Sequence, residues 1–93
     1  MTKSIIQADM NVCFICGGRA SERHHALYGK FRRKCEMFGL VVGLCPACHR
    51  GTKGVHGRDG AKVNLFIKKA AQRAFEREYS HETFMAEFGK NYL

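Results

Sequence analysis

The chain contains no tryptophan, a single proline, and half as many acidic as basic residues. Eight Asp and Glu stand against 16 Lys and Arg, for a formal charge of +8 with histidine neutral. Such a balance points to a polyanionic partner, either nucleic acid or an anionic membrane surface. No apolar run approaches the ~18 residues of a membrane span. The stretch from Met1 to Asp9 has no apolar core long enough for a secretory signal, so a soluble, cytoplasmic protein is the expectation. Repeats, linkers and low-complexity segments are also missing. Hydrophobic residues make up 45% of the chain, which excludes charge-driven disorder. The 93 residues have room for one domain, 1–93. A chain of this size buries only about 60–65% of its unfolded surface, so its small core calls for a staple.

Five cysteines supply one. Four form two Cys-x-x-Cys pairs, Cys13–Cys16 and Cys45–Cys48, with 28 residues between them. The two-residue spacing lets both thiolates of a pair converge on one ion, and two pairs complete a tetrahedral structural zinc site with Zn–S near ~2.3 Å. Gly17-Gly18 suits a tight knuckle after the first pair. An odd cysteine count without an export signal argues against a disulfide framework. A thioredoxin-like redox protein fits poorly, because two matched pairs describe a closed metal site. Cys35 is left over as a reduced thiol.

Four of the five histidines cluster around these pairs. His24 and His25 follow Glu22-Arg23, His49 directly follows Cys48, and His56 lies seven residues further on. A lone histidine is ordinarily a satisfied surface or core group, as His81 is expected to be. Adjacent residues on a strand point to opposite faces, so His24 and His25 divide their work: one faces inward as a metal ligand, the other outward as a base. A neutral imidazole with an ordinary pKa near ~6.5 suits deprotonation of water. His49 and His56 cannot share an ion on one continuous helix, where seven residues span about 10.5 Å. Gly51, Gly54 and Gly57 provide the breaks that a returning loop needs.

The order Cys-x-x-Cys, Glu-x-His-His, Leu-Cys-x-x-Cys-His and a further His resembles the zinc-knuckle branch of the HNH endonucleases, the His-Me finger or ββα-metal nucleases. The likeness runs from about Cys13 to His56 and is greatest to the small proteins of this type encoded by phages and prophages. It implies an α+β fold: a zinc-stapled ββα-metal core over 13–58, with two additional C-terminal helices over 59–93. It implies hydrolysis of DNA phosphodiester bonds, one strand at a time and with low sequence specificity. His25 would be the general base. His24, His49 and His56 would hold one divalent cation (Mg²⁺, Mn²⁺, Ni²⁺ or Zn²⁺), and Glu22 would orient a site histidine. The partner would be the DNA phosphate backbone rather than a membrane, in a bacterial host or phage setting. Proteins of phage packaging or recombination are the candidate protein partners, and the oligomeric state stays open. The sequence departs from the family in two ways. Gly39–Leu44 contains no asparagine where the family has its middle Asn, and six residues rather than three separate the last two histidines.

Tyr28-Gly-Lys30-Phe-Arg32-Arg33-Lys34 interleaves four cations with two rings, a pattern suited to tracking phosphates. Arg50 and Lys53 extend that basic surface, with Arg58 beyond them. From Ala61 to about Glu78, Val63, Phe66, Ile67, Ala70, Ala74 and Phe75 fall at helical steps and predict one buried face. Lys62, Lys68, Lys69, Gln72, Arg73, Glu76 and Arg77 are expected on the other. Asp59 or Gly60 can start this helix, and Ser80 and Gly89 bracket a second short one. Val12–Ile15 and Leu40–Val42 are the strand candidates. The reading from another class is a non-catalytic zinc-knuckle module that binds nucleic acid or protein. Its weakness is that zinc alone needs only the cysteines and leaves the histidines without a task.

Overall fold

The histidine pair lies on the first strand. A computed structural model describes residues 2–93; Met1, where the stretch read above begins, lies outside the described residues. Strand β1, Glu22–His25, pairs antiparallel with β2, Val41–Leu44, so that Glu22 faces Leu44 and His25 faces Val41. Strand β2 is buried along its whole length, which accounts for its unbroken run of small and apolar residues. The N-terminal segment covers its other edge. The Ser4 hydroxyl donates to the Val41 carbonyl at 2.6 Å, and the Gly43 amide donates to Gln7 Oε1 at 2.6 Å.

Between the strands, a 3-10 turn at Gly29–Phe31 leads into helix α1, Arg32–Phe38. The basic segment is therefore largely helical, not a loop. Its Arg, Lys, Glu and Met residues are good helix formers, and buried Cys35 anchors it through contacts of Sγ with the Leu27 amide and carbonyl, both 3.3 Å. Burial pushes the Cys35 thiol up to about 11, so it is a reduced packing group.

The strand expected at Val12–Ile15 is reduced to a single bridge between Val12 and Arg19. Here the chain bends into a knuckle: the Cys13 amide donates to the Gly18 carbonyl at 2.7 Å, and the Gly17 amide donates to Cys13 O at 3.0 Å. Four consecutive extended residues are incompatible with that turn. Leu40–Val42 overlaps β2, which begins one residue later and runs to Leu44.

Helix α2, Pro46–Arg50, is followed by a glycine-rich loop, then by α3, Ala61–Glu78, and α4, His81–Phe88. Gly60 is the N-cap of α3. Ser80 caps α4 by accepting from the Thr83 amide at 3.0 Å, and Gly89 ends it in the left-handed region at φ 74°. The buried face of α3 is rotated from expectation. Ile67, Ala71, Gln72, Ala74 and Phe75 are buried, whereas Phe66 is 54% exposed against Phe14. Gln72 tolerates burial because its amide is satisfied: it donates to Glu76 at 2.8 Å and to Asn91 at 2.7 Å, and accepts from the Tyr92 amide at 2.7 Å. Phe75 stands at the centre of an aromatic group with Phe38, Phe84 and Phe88, at centroid distances of 5.1–5.8 Å. One core cluster runs from Cys13 and Leu44 through Ile67 to Phe88, so the C-terminal helices brace the hairpin from behind. The result is a small α+β fold with a two-stranded sheet and four helices. Among the described residues no helix is long and apolar enough to cross a membrane.

Candidate metal centres

The knuckle and the start of α2 bring Cys13, Cys16, Cys45 and Cys48 together, their sulfurs all within 4.8 Å of one another. Tetrahedral coordination at ~2.3 Å sets sulfurs about 3.8 Å apart; Cys16 Sγ and Cys45 Sγ lie 3.7 Å apart. The local sequence explains the second half of the site. Cys45 is the N-cap of α2, Pro46 follows it in the first turn, and Cys45 Sγ accepts from the Cys48 amide at 3.5 Å. Burial pushes the Cys13 thiol up, but the backbone amides of Cys16, Cys45 and Ile15 outweigh it and bring its pKa down to about 6. Cys48 is pushed up by burial and by hydrogen bonds that its thiol donates to the neighbouring cysteine sulfurs. Four thiols this close compete for negative charge, and a divalent cation removes that competition. The cluster is compatible with structural zinc.

One residue beyond Cys48, His49 leaves the same helix in another direction. His24 reaches it from β1 and His56 from the loop after α2, and the ligand atoms of the three lie within 4.8 Å of one another. The ring centroids are 5.1 Å apart for His24–His49 and His24–His56, and 4.9 Å for His49–His56. The six intervening residues are folded into the loop, where the His56 amide donates to the His49 carbonyl at 3.0 Å and the Val55 amide to the Cys48 carbonyl at 2.8 Å. Gly54 permits this closure, since a Cβ there would meet the Ala47 carbonyl oxygen at 2.6 Å.

His24, His49 and His56 could hold a metal ion. His24 is buried to 1% exposure, and its Nε2 has no hydrogen-bond partner. Such an orphaned nitrogen costs stability unless something binds it. Burial, then the neighbouring histidines, holds the His24 pKa down to about 3, and burial lowers His56 in the same sense. Both imidazoles are thus neutral, the form a metal requires. Glu22 Oε1 lies 2.6 Å from His49 Nδ1, and an ionised carboxylate makes that nitrogen the donor, leaving Nε2 as the available ligand atom. Hydrogen bonds from Arg50 and then His49 lower the Glu22 pKa and keep it ionised.

His25, on the opposite face of β1 from His24, is half-buried, with Nε2 2.7 Å from Glu36 Oε2. It lines two adjoining clefts. One, of about 370 Å³, contains His24, His49, His56 and Tyr28; the other, of about 730 Å³, contains Lys30, Arg32 and Arg33. Arg23, Gly29 and Arg32 belong to both.

The basic residues singled out in the sequence divide into two groups. Lys34 Nζ donates to the Glu87 carbonyl at 2.7 Å, and Arg50 is paired with Glu22, so both serve internal contacts. Lys30, Arg32, Arg33 and Lys53 make no ion pair among the described residues. His81 is exposed and bonds Glu76 through Nδ1 at 2.7 Å. Sequence reasoning missed Glu36 and Lys68 as site neighbours and placed Tyr28 only among the phosphate-tracking residues. Tyr28 walls the histidine site, 4.7 Å from His56, with its hydroxyl accepting from Asn64 at 3.0 Å. Lys68 lies 5.2 Å over the Tyr28 ring, on no signal visible in the sequence. Glu36 did carry a signal, as the one acidic residue between Glu22 and Asp59. Compared with known proteins, the chain matches no family model, no curated protein and no solved structure.

Proposed function

We propose that the chain is a metal-dependent HNH endonuclease that hydrolyses DNA phosphodiester bonds, nicking one strand at a time with low sequence specificity. One observation carries this reading: three neutral-type ligands, His24, His49 and His56, converge at the floor of a cleft that a fourth histidine, His25, shares with Arg23 and Arg32. A structural zinc module needs none of these four.

A divalent cation held by His24, His49 and His56 would supply charge stabilisation at the scissile phosphate and the departing oxygen. His25 takes a proton from water; the hydroxide attacks phosphorus, the bond to the 3′-oxygen breaks, and the leaving oxygen is protonated from solvent. Lys30, Arg32 and Arg33 bind flanking phosphates, contacts that position the strand without reading its sequence. Glu22 and the zinc-bound knuckles hold the ligand histidines in place. One base beside one cation serves one bond, so double-strand scission requires two copies acting together.

The test is conversion of supercoiled plasmid to open circles at low salt, with Mg²⁺, Mn²⁺, Ni²⁺ or EDTA. Wild type should nick only with metal, and His25→Ala should bind DNA without nicking. Intact plasmid in every lane, from folded, DNA-bound protein, would leave the chain a zinc-knuckle binding module.

A further inference from the structure

We infer that Glu36 is the positioning residue for His25: it fixes the imidazole in the tautomer protonated at Nε2 and leaves Nδ1 as the nitrogen with the free lone pair. The kinetic part of this assignment rests on the nuclease reading; the tautomer itself does not.

Glu36 belongs to α1, 11 residues along the chain from His25, and the two meet only because α1 packs beside β1. Arg23 and His25 are two residues apart on β1 and therefore share a face, where Glu36 receives both. Arg23 Nη2 donates to Oε1 at 2.6 Å and Arg23 Nε to Oε2 at 3.2 Å, while Oε2 lies 2.7 Å from His25 Nε2. A second bond from Arg23 Nη2 to the Thr2 carbonyl, 2.9 Å, fixes the guanidinium. Next to Glu36, Cys35 clamps the helix to Leu27 through both of its sulfur contacts. The carboxylate is thus anchored on three sides. Hydrogen bonds from Arg23 hold its pKa down to about 2, so it is ionised and can only accept. A nitrogen facing an obligate acceptor at 2.7 Å has to donate, and the proton of the neutral imidazole sits on Nε2.

The molecule contains the mirror of this arrangement. Glu22 engages His49 at Nδ1, leaving Nε2 as the ligand atom, while Glu36 engages His25 at Nε2. Two carboxylates thus select opposite nitrogens on two histidines.

Glu36→Gln separates tautomer control from simple packing, because glutamine has the same shape. Arg23 donates to both oxygen positions, and its bond to Oε1, at 2.6 Å, is the shorter, so the amide oxygen takes Oε1, the 3.2 Å bond from Arg23 Nε is given up, and the NH₂ group turns toward His25. His25 Nε2 must then accept, and its proton moves to Nδ1. The experiment compares wild type, Glu36→Gln, Glu36→Ala and Arg23→Ala/Glu36→Gln, each zinc-loaded. Readouts are single-turnover plasmid nicking, DNA affinity, and long-range ¹⁵N–¹H spectra of His25 at about pH 8, where an ordinary imidazole is neutral. The Gln and Ala variants should both nick about 10–100-fold more slowly, the usual scale for losing a carboxylate behind a site histidine, with unchanged DNA affinity. The Gln variant alone should move the His25 proton to Nδ1, and adding Arg23→Ala should return part of it. Wild-type nicking by Glu36→Gln, or a proton that stays on Nε2, overturns the inference. If wild type does not nick, the nuclease reading fails by itself, and the ¹⁵N spectra still decide whether Glu36 sets the tautomer.

Discussion

Two ligand clusters share the five-residue helix α2 and differ in almost every physical respect. The cysteine cluster takes Cys48 from that helix, Cys45 from its N-cap and Cys13 and Cys16 from a local knuckle, and its four soft ligands would complete a tetrahedron about zinc with no position left over. The histidine cluster takes His49 from the same helix, but collects His24 from a strand and His56 from a loop. Three ligands beside a cleft would leave a bound ion with a position open to water. The first joins two local Cys-x-x-Cys pairs across 28 residues and is compatible with a structural zinc that would serve folding. The second exists only once the sheet, the helix and the returning loop are in place. A closed site stabilises whatever brings its ligands together, whereas an open one depends on a scaffold that others have stabilised.

That difference can be broken experimentally, and the largest effect belongs to the cysteines. Structural zinc binding is worth about 10–16 kcal/mol in small zinc-finger peptides, comparable with the whole stability of a domain this size. Strong chelation, or Cys13→Ser, should abolish cooperative folding, seen as loss of helical circular dichroism and of dispersed amide resonances. A retained fold after complete zinc removal would erase the distinction. Next comes His24→Ala, which should leave one tightly held zinc per chain and remove the second binding event in calorimetric titration. His25→Ala should leave both. Should metal affinity fall in His25→Ala instead, the two histidines have exchanged roles. Glu22→Gln should keep both clusters but weaken the second ion about 10–100-fold, the cost typical of losing a carboxylate behind a ligand.

Acid provides the mildest probe. His24 and Glu36 both have depressed pKa values in the folded chain, about 3 and about 2. The unfolded chain therefore binds more protons over the acid range, and the associated stability is present above the unfolded values of roughly 6.5 and 4.3. It is lost as pH falls, first below 6.5 through His24 and then below about 4.3 through Glu36. Thermal melts of the zinc-loaded protein should show Tm declining from pH 7 toward 4, with the upper part of the decline absent in His24→Ala.

Legibility in the sequence followed the range of the interaction. Cysteine convergence was readable because Cys-x-x-Cys is a local geometry, and the opposite facing of His24 and His25 because a strand has period two. Gly51 and Gly54 announced the break before His56. The outer limits and caps of α3 and α4 were also readable, since capping is local. The buried face of α3 was readable only in part: Ile67, Ala74 and Phe75 are buried as expected, but apolarity placed Phe66 inside and Gln72 outside, and the reverse holds. Gln72 is buried on account of Glu76, Asn91 and the Tyr92 amide, the last two brought in only by the C-terminal tail. Helix α1 was hidden for a similar reason. Its charge run reads as solvated loop until Cys35 is seen anchored beneath Leu27. Glu36 stood alone among cations, but its partners lie on another element, and periodicity carries no record of that meeting.

The direct peptide link between Cys48 and His49 has a consequence for how the protein behaves in a cell. Whatever orders Cys48 also orders His49, so an ion at the cysteine cluster would help to assemble the histidine cluster. Loading of two ions would then be hierarchical, with free zinc setting the fraction of molecules competent to take up a second one. A cell short of zinc would hold a pool of unfolded, protease-sensitive chains. Adding Mg²⁺ or Mn²⁺ would not rescue them, and returning zinc would refold the survivors without new synthesis.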